Sequence, residues 1–417
     1  MNNDTDRNNG LYPNRRFPEF QDDREWQVRT LKDLACRVNT RNKTGEVRRV
    51  LTNSAVDGVV DQRQYFDKDI ASKFNIENYF VVEKADYVYN PRISANAPVG
   101  PISRNNLGTG VMSPLYTVFR FKELENDFYE QYFKSSHWYD FINAAANSGA
   151  RFDRVSITND RFMAMPLPCA SPMEQQKIAD CLSSADELIE VERKKLLILQ
   201  RHKQGLLRDL FPSETETLPQ RRLPEFKDFP GWNCEPLAVY IEEFRKKSTT
   251  PDEYEVLTSS RIGLVRQRDY YNTNRITERE NVGFNVIPPG FMTYRSRSDD
   301  ELFFFNVNRL GITGIISVYY PVFTIKNGSN EFFSYLFTRF SEYIGKNSVG
   351  NAQKVLSLNA LKKIALPVPT LSEQNEIASI LISCDKLIAI QNSKLAALRL
   401  HKKGLLQDLF PVVQVSK

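Results

Sequence analysis

The sequence predicts an α+β protein with two tandem mixed α/β domains, each followed by one long helix. A stretch of 39 residues from Glu174 to Pro212 recurs as Glu373 to Pro411, with 21 identical positions at an offset of 199. Apolar residues in both copies alternate at spacings of four and three, which is the 3.5-residue period of a coiled coil. A repeat of this length indicates that the chain consists of two related halves.

The apolar seams give each helix a natural partner in the other. Their members are Ile178, Leu182, Ala185, Ile189, Leu196, Leu199, Leu206 and Leu210 in the first copy, and Ile377, Leu381, Cys384, Ile388, Leu395, Leu398, Leu405 and Leu409 in the second. Either seam could cover its own domain, but two matched seams favour an antiparallel pair about a pseudo-twofold axis. Glu192 and Gln391 interrupt the seams near their midpoints. We expect them to face each other as a polar layer that fixes register.

Each helix has a predictable start and length. Ser171 and Thr370 each precede a Glu by three residues, at Glu174 and Glu373, which predicts capping boxes whose carboxylates reach back to the cap. A helix of about 38 residues is roughly 57 Å long at 1.5 Å per residue. The matched glycines Gly205 and Gly404 indicate close helix approach, partner docking, or a helix terminus.

Composition favours a cytoplasmic protein without a membrane span. The 417 residues are enough for two or three domains, and the net charge of +5 allows nucleic acid as a partner without requiring it. No run of 18 apolar residues occurs, and the polar N-terminus does not resemble a signal peptide. Five cysteines without a CxxC pair indicate a reduced protein with no structural zinc.

Repeated lead-in segments place the domain boundaries. Arg16 to Asp22 ends at Trp26, and the similar Arg222 to Asp228 ends at Trp232. We therefore predict a disordered tail at 1–15, a first domain at 16–165, a spacer helix at 166–212, a linker at 213–221, a second domain at 222–366, and a second spacer helix with tail at 367–417.

The globular domains are mixed in structure and match only loosely. Asn78–Asn90 and Ile312–Ile325 read as strands, because they are rich in β-branched and aromatic residues between Gly and Pro. Phe128–Ala146 and Glu331–Lys346 have helical spacing. The helices are about half identical, whereas the domains share scattered marker residues. This contrast predicts that the helices bind two copies of one partner, whereas the two domains contact different targets.

Catalytic motifs are absent from the sequence. It contains no GxxxxGK[ST] phosphate loop, no metal-ligand cluster and no Asn-Pro-Pro-aromatic tetrapeptide of the kind found in amino-methylating methylases. The lysine of a metal-dependent nuclease triad is missing after Pro251-Asp252. We therefore predict a non-catalytic protein without a metal site.

The chain resembles the specificity subunit of type I restriction-modification enzymes. The motifs that carry this resemblance cover nearly the whole chain: the RxPEFxD segments at Arg16 and Arg222, YNPR at Tyr89, SPLY at Ser113, Leu-Pro at Leu167 and LPxP at Leu366, EQxxIA at Glu174 and Glu373, and HKxGLLxDLFP at His202 and His401. The resemblance implies two target-recognition domains separated by an antiparallel helix pair, which together read an interrupted, asymmetric site in double-stranded DNA.

The resemblance also implies partners. The helices would dock two modification (methyltransferase) subunits, and two restriction (motor-nuclease) subunits would complete the complex. S-adenosylmethionine, ATP and magnesium would then belong to these partners, with no cofactor in this chain.

DNA contacts must come from the globular domains. Repeat-matched polar loops supply the candidates, because Arg can bind guanine edges, Asn and Gln can pair with adenine, and other polar side chains can hold phosphates. They are Gln62, Arg63, Tyr89, Asn90, Arg92, Arg104, Asn105, Asn106, Gln267, Arg268, Tyr294, Arg295, Arg297, Asn308 and Arg309. Each Arg could equally be a solvated surface charge, and Tyr89 and Tyr294 could equally be core residues.

Two other functions compete with this interpretation. One is a scaffold whose tandem domains bind proteins, for which DNA affinity would not depend steeply on salt. The other is a self-sufficient nuclease or methylase with unrecognised motifs, which would cleave or methylate DNA alone.

Overall fold

The computed structural model describes residues 10–65, 76–123, 126–146, 153–271 and 280–414. The chain divides into two compact units. Unit 1 is Met1–Arg193 with Lys394–Lys417, and unit 2 is Lys194–Ser393. The division therefore runs through both long helices, so each unit contains the start of one helix and the end of the other.

The two long helices have the predicted length. α6 spans Pro172–Asp209 and α11 spans Leu371–Asp408, both with 38 residues. Ser171 Oγ accepts a hydrogen bond from the Glu174 amide at 3.4 Å, and Thr370 Oγ1 accepts one from the Glu373 amide at 3.5 Å. The predicted N-caps are therefore confirmed.

The carboxylates of the same glutamates have a different role from the predicted one. The Glu174 carboxylate accepts hydrogen bonds from Arg16 Nε and Nη2, both at 2.7 Å, and from Trp26 Nε1 at 3.1 Å. The Glu373 carboxylate likewise accepts hydrogen bonds from Arg222 Nε and Nη2 at 3.0 and 2.8 Å, and from Trp232 Nε1 at 3.1 Å. The prediction that these side chains close a capping box is wrong, because a bidentate guanidinium is a stronger partner for a buried carboxylate than one amide.

Unit 1 contains short strands and helices around an aromatic core. Its strands are β1 (Gln27–Thr30), β2 (Ala35–Arg37), β3 (Leu51–Ser54), β4 (Gly58–Asp61), β5 (Phe80–Val82), β6 (Tyr87–Tyr89), β7 (Ile102–Arg104), β8 (Gly110–Met112), β9 (Thr117–Phe121) and β10 (Pro166–Cys169). Its short helices are α1 (Leu31–Leu34), α2 (Gln62–Tyr65), α3 (Asp127–Tyr132), α4 (Tyr139–Ala145) and α5 (Asn159–Met163). The central sheet has the order β2-β9-β6-β7.

Unit 2 repeats this plan. Its strands are β11 (Asn233–Pro236), β12 (Ile241–Glu243), β13 (Glu255–Ser260), β14 (Gly263–Arg266), β15 (Asn285–Ile287), β16 (Met292–Tyr294), β17 (Arg297–Ser298), β18 (Phe305–Val307), β19 (Gly314–Ile316), β20 (Val322–Ile325), β21 (Lys354–Val355) and β22 (Ala365–Val368). Its short helices are α7 (Gln267–Tyr271), α8 (Asn330–Arg339), α9 (Ser341–Lys346) and α10 (Leu358–Lys363). The sheet order β12-β20-β16-β18 corresponds strand by strand to that of unit 1.

Each lead-in segment is held against the residues that precede a long helix. β1 pairs antiparallel with β10, and β11 pairs antiparallel with β22. The Leu-Pro pairs at Leu167 and Leu366 thus lie in strands, and both leucines are fully buried. This pairing brings each lead-in arginine to the glutamate at the helix start.

The long helices run antiparallel within each unit. In unit 1, Lys402 on α11 bonds Asp186 on α6, and Lys394 bonds Glu192. In unit 2, Lys203 on α6 bonds Asp385 on α11 at 2.6 Å. Asp186 and Asp385 are equivalent in the repeat, as are Lys402 and Lys203. The predicted antiparallel coiled coil is confirmed by these matched contacts.

The LFP motifs place the end of each helix in an aromatic core. Phe410, after α11, packs on Phe128 in unit 1 with ring centroids 5.1 Å apart. Phe211, after α6, stacks on Phe332 in unit 2 at 5.2 Å. Each unit is therefore completed by the helix that starts in the other unit.

Gly205 and Gly404 lie about one turn inside the helix ends. A carbon added at either position would meet no atom within 4 Å. Close helix approach is therefore not the reason for these glycines. Their matched positions leave an open surface on each helix.

We predict that Glu174→Gln lowers the free energy of unfolding by about 3–5 kcal/mol, because it leaves the nearly buried Arg16 side chain without its ion-pair partner. Urea unfolding followed by tryptophan fluorescence would measure the change. Arg193→Gln is the control, since Arg193 forms an exposed pair with Glu190 on α6 and its loss should leave the midpoint unchanged. Equal midpoints for Glu174→Gln and wild type would contradict a structural role for the buried pair.

Candidate nucleic-acid interface

Two of the predicted contact residues lie in the core. Tyr89 and Tyr294 are 1% and 0% exposed, and their hydroxyls donate to the carbonyl oxygens of Val99 and Leu356, both at 2.9 Å. Burial raises the pKa of both hydroxyls. Their environment matches the alternative interpretation, in which they mark the same core strand in each unit.

Three predicted asparagines hold loops in shape. Asn105 Nδ2 donates to the carbonyl oxygens of Glu83 and Gly108, both at 2.8 Å. The equivalent Asn308 donates to Ile287 and Ile312. Asn90 is also buried and donates to the Asn53 carbonyl at 2.8 Å. These amides are occupied by the backbone, as expected of buried polar groups.

Two predicted arginines are already paired with carboxylates. Arg104 binds Asp127 and, at 3.3 Å, Glu130, which also accepts a hydrogen bond from Asn106 at 3.1 Å. Arg309 binds Glu331 through Nε at 2.9 Å. A ligand would have to break these pairs before using either guanidinium.

The remaining predicted residues lie at the protein surface. Gln62 and Arg63 begin α2, and Gln267 and Arg268 begin the equivalent α7, where Arg268 lies 3.5 Å from Glu255. Arg92 is exposed and forms an isolated backbone bridge with Arg154. Arg295 and Arg297 are exposed beyond the end of β16.

Arg295 and Arg297 lie together in a cleft of unit 2, which we call the arginine cleft. It is lined by Thr258, Ser259, Ser260, Arg261, Ile262, Tyr270, Tyr271, Arg295, Arg297, Ser298, Asp299, Leu302, Phe304 and Tyr320. Sequence reasoning missed Arg261, Tyr270, Tyr271 and Tyr320 as members. Tyr270 and Tyr271 lie in the same short helix as the predicted Gln267 and Arg268, which was the signal that could have found them.

The arginines of this cleft differ in whether they already have an ion-pair or ring partner within the protein. Arg261 bonds Asp300 at 2.6 Å, and Arg297 lies over the ring of Tyr319 at 4.4 Å. Arg295 has neither a hydrogen bond nor an ion pair to any residue in the described ranges. Tyr270 and Tyr271, 49% and 47% exposed, line the same cleft. An unpaired guanidinium next to exposed rings suits bidentate recognition of guanine and stacking on an aromatic face.

The two units differ at this point of the sheet. Tyr89 and Tyr294 end equivalent strands, but the next residue is the buried Asn90 in unit 1 and the exposed Arg295 in unit 2. The same fold therefore presents unlike chemistry in its two copies.

The predicted register residues Glu192 and Gln391 are both buried, at 7% and 4% exposure. Glu192 bonds Lys394 in unit 1. That Glu192 and Gln391 face each other stays a prediction.

Two further features concern other functional classes. Within the described ranges, no group of three or more His, Cys, Asp or Glu side chains is placed to hold a metal ion. In the same part of the chain, no helix is long and apolar enough to cross a membrane.

Comparison with known sequences supports the resemblance. Residues 241–400 match the family described as the type I restriction modification DNA specificity domain. The MjaVIII specificity subunit of Methanocaldococcus jannaschii is 24% identical over 284 residues, which are 59% of this chain and 60% of that protein. The putative MjaX specificity subunit of the same organism is 23% identical over 299 residues, or 67% and 65%. The matches thus span under two thirds of these relatives.

Comparison with solved structures confirms the fold. An S subunit of a type I restriction-modification system from M. genitalium superposes with a TM-score of 0.58 at 16% identity, covering 97% of this chain and 100% of that one. A chain from a structure of the type I R-M system superposes with a TM-score of 0.54 at 14% identity, covering 93% and 97%. At these identities the likeness concerns the fold alone.

We predict that Arg295→Ala removes a guanine preference at one position of the bound DNA, with a loss of about 1–3 kcal/mol for duplexes that carry that base. Affinity selection from a random duplex pool, followed by sequencing, would measure the preference. Arg309→Ala is the control: it also removes one positive charge, but Arg309 is already bound to Glu331, so the guanine preference should stay intact. An unaltered preference in Arg295→Ala would show that Arg295 does not read a base.

Proposed function

We propose that this chain, which carries a type I restriction modification DNA specificity domain and is similar over most of its length to type I specificity subunits, reads a bipartite, asymmetric DNA site for a modification and restriction complex. The observation that carries the proposal is the contrast between like folds and unlike surfaces. The two units have the same sheet order, but at one equivalent place unit 2 exposes Arg295, whereas Asn90 of unit 1 is buried. A protein of this kind suits a site whose halves differ.

The chain itself would be non-catalytic. Its role would be to hold two recognition domains at a fixed separation on DNA through the antiparallel helices. Methyl transfer from S-adenosylmethionine and ATP- and magnesium-dependent translocation and cleavage would take place on the partner subunits.

The long helices offer matched surfaces for two modification subunits. Leu188 and Val191 on α6 are 44% and 60% exposed, and the repeat-equivalent Leu387 and Ile390 on α11 are 52% and 65% exposed. Exposed apolar residues three apart lie on one helix face, outside the buried seam. We call these pairs the docking stripes. Two equivalent stripes suit two copies of one partner.

Methylome sequencing tests the proposed function directly. Cells that express this chain with its modification subunit should contain an interrupted, asymmetric methylated motif that is missing from cells lacking the chain. If the complex forms but no new methylated motif appears, the result would favour the scaffold alternative. Methylation or cleavage by the purified chain alone would favour a self-sufficient enzyme.

We predict that Leu188→Glu with Val191→Glu removes one modification subunit from the complex, because two carboxylates at a buried contact must be desolvated. Leu387→Glu with Ile390→Glu should remove the other modification subunit. All four changes together should remove both modification subunits. Light scattering after size-exclusion chromatography would give the stoichiometry.

Leu400→Glu is the control for these variants, because Leu400 is 71% exposed on another face of α11. It should leave the stoichiometry unchanged. Retention of both partners by the fourfold variant would show that they bind elsewhere.

A further inference from the structure

Each unit contains a groove at the same place in its fold, on the side of the central sheet beside β2 in unit 1 and β12 in unit 2. We call it the shared groove. In unit 1 it is lined by Arg37, Arg41, Phe80, Tyr89, Pro91, Pro114, Leu115, Tyr116, Thr117, Arg154, Val155, Ser156, Ile157 and Asn159. In unit 2 it is lined by Glu243, Phe244, Arg245, Lys247, Asn285, Ser296, Val318, Tyr319, Pro321, Val322, Ser357 and Leu358.

Backbone pairing shows that the two grooves are equivalent. Arg41 forms an isolated antiparallel bridge with Phe80, and Lys247 forms the same bridge with Asn285. All four of these residues line the grooves. A cation therefore occupies one position in both units, although the units share few other surface residues.

The groove of unit 1 is strongly basic. Its lining includes three arginines and no carboxylate. Among the described residues, the Arg37 side chain has no hydrogen bond or ion pair, whereas Arg154 donates through Nη2 to Asp153 at 3.4 Å. The Nε atoms of both arginines are shielded from solvent without a partner. Buried donors without an acceptor are costly, so they favour an anion that would accept from them.

The groove of unit 2 has a smaller positive charge. Arg245 and Lys247 are exposed, and the one carboxylate of its lining, Glu243, is bonded to Arg245 at 2.7 Å. Lys247 has no carboxylate partner within the described ranges. Both grooves therefore retain a cation for a ligand.

The ligand must explain why this feature is common to both units while the base-reading surface is not. The phosphodiester backbone of DNA is the same in both half-sites and carries no sequence information directly. The groove of unit 2 also adjoins the arginine cleft, because Tyr319 of the groove lies under Arg297 of the cleft. A phosphate in the groove would hold the duplex with its bases beside the cleft.

We infer that the shared groove binds DNA phosphates in both units, through Arg37 and Arg41 in unit 1 and through Lys247 in unit 2. This inference rests on the proposed function. It assigns the groove to positioning and the arginine cleft to sequence reading.

The test is a double variant, Arg41→Gln with Lys247→Gln, in the full chain assembled with its modification subunits. Both side chains are exposed, so the fold should persist. Each phosphate contact contributes about 0.9 to the slope of log K against log salt. We expect the slope to fall by about 2, with equal loss of affinity for target and random duplexes and an unchanged methylated motif.

Arg193→Gln with Lys227→Gln is the matched control, because it removes two exposed charges outside both grooves. A salt slope that falls as much in this control as in the groove variant would overturn the inference in favour of net charge alone. An unchanged slope in the groove variant, or a changed motif, would also overturn it. If the DNA affinity of the wild-type complex did not change with salt concentration, the proposed function itself would be refuted.

Discussion

The structure depends on one interaction that occurs twice, a carboxylate buried at the start of each long helix. Glu174 and Glu373 are 0% exposed, and each binds an arginine and a tryptophan from a segment about 150 residues earlier. The arginines also donate to two carbonyl oxygens of their own segments. A buried carboxylate without its cation is strongly destabilising, so the lead-in segment, the helix start and the strand pair between them form together or not at all. This coupling explains why the RxPEFxD, tryptophan and EQ motifs recur as a set.

The same coupling separates the constant from the variable parts of the chain. The start of each helix is fixed by Glu174 or Glu373, and its end by Phe211 or Phe410 in an aromatic core. Both ends are therefore under packing constraints that a surface loop does not share. The exposed strand end that carries Arg295 in unit 2 lies outside these constraints. The frame can stay the same while each unit presents different side chains, which is what a reader of two unlike half-sites requires.

The periodic parts of the fold could be predicted from the sequence, and the long-range contacts could not. Two 38-residue helices and their antiparallel pairing followed from the 3.5-residue seam, because local periodicity determines which face is buried. Their N-caps followed from Ser171 and Thr370, each three residues before a Glu. The role of Glu174 did not follow, since its partner Arg16 is 158 residues away. The short strands and the split of each predicted aromatic helix into two, α3 with α4 and α8 with α9, depend on tertiary packing. Among the site residues, repeat matching found Arg295 and Arg297 but could not separate them from Asn105 and Asn308, whose amides are bonded to backbone carbonyls.

Pairing, more than exposure, distinguishes the arginines that are available to a ligand. Arg309 and Arg295 are both exposed and both sit in unit 2, but Arg309 is bonded to Glu331 whereas Arg295 faces solvent beside two tyrosines. A phosphate or base that approached Arg309 would first have to displace a carboxylate, and the gain would be offset by that loss. At Arg295 only water is displaced. The same reasoning applies to Arg37 and Arg104 in unit 1, where Arg104 is neutralised by Asp127 and Glu130 while Arg37 has no acidic partner within the described residues. Among these four arginines, Arg295 and Arg37 are therefore the ones that a ligand can approach without displacing a carboxylate.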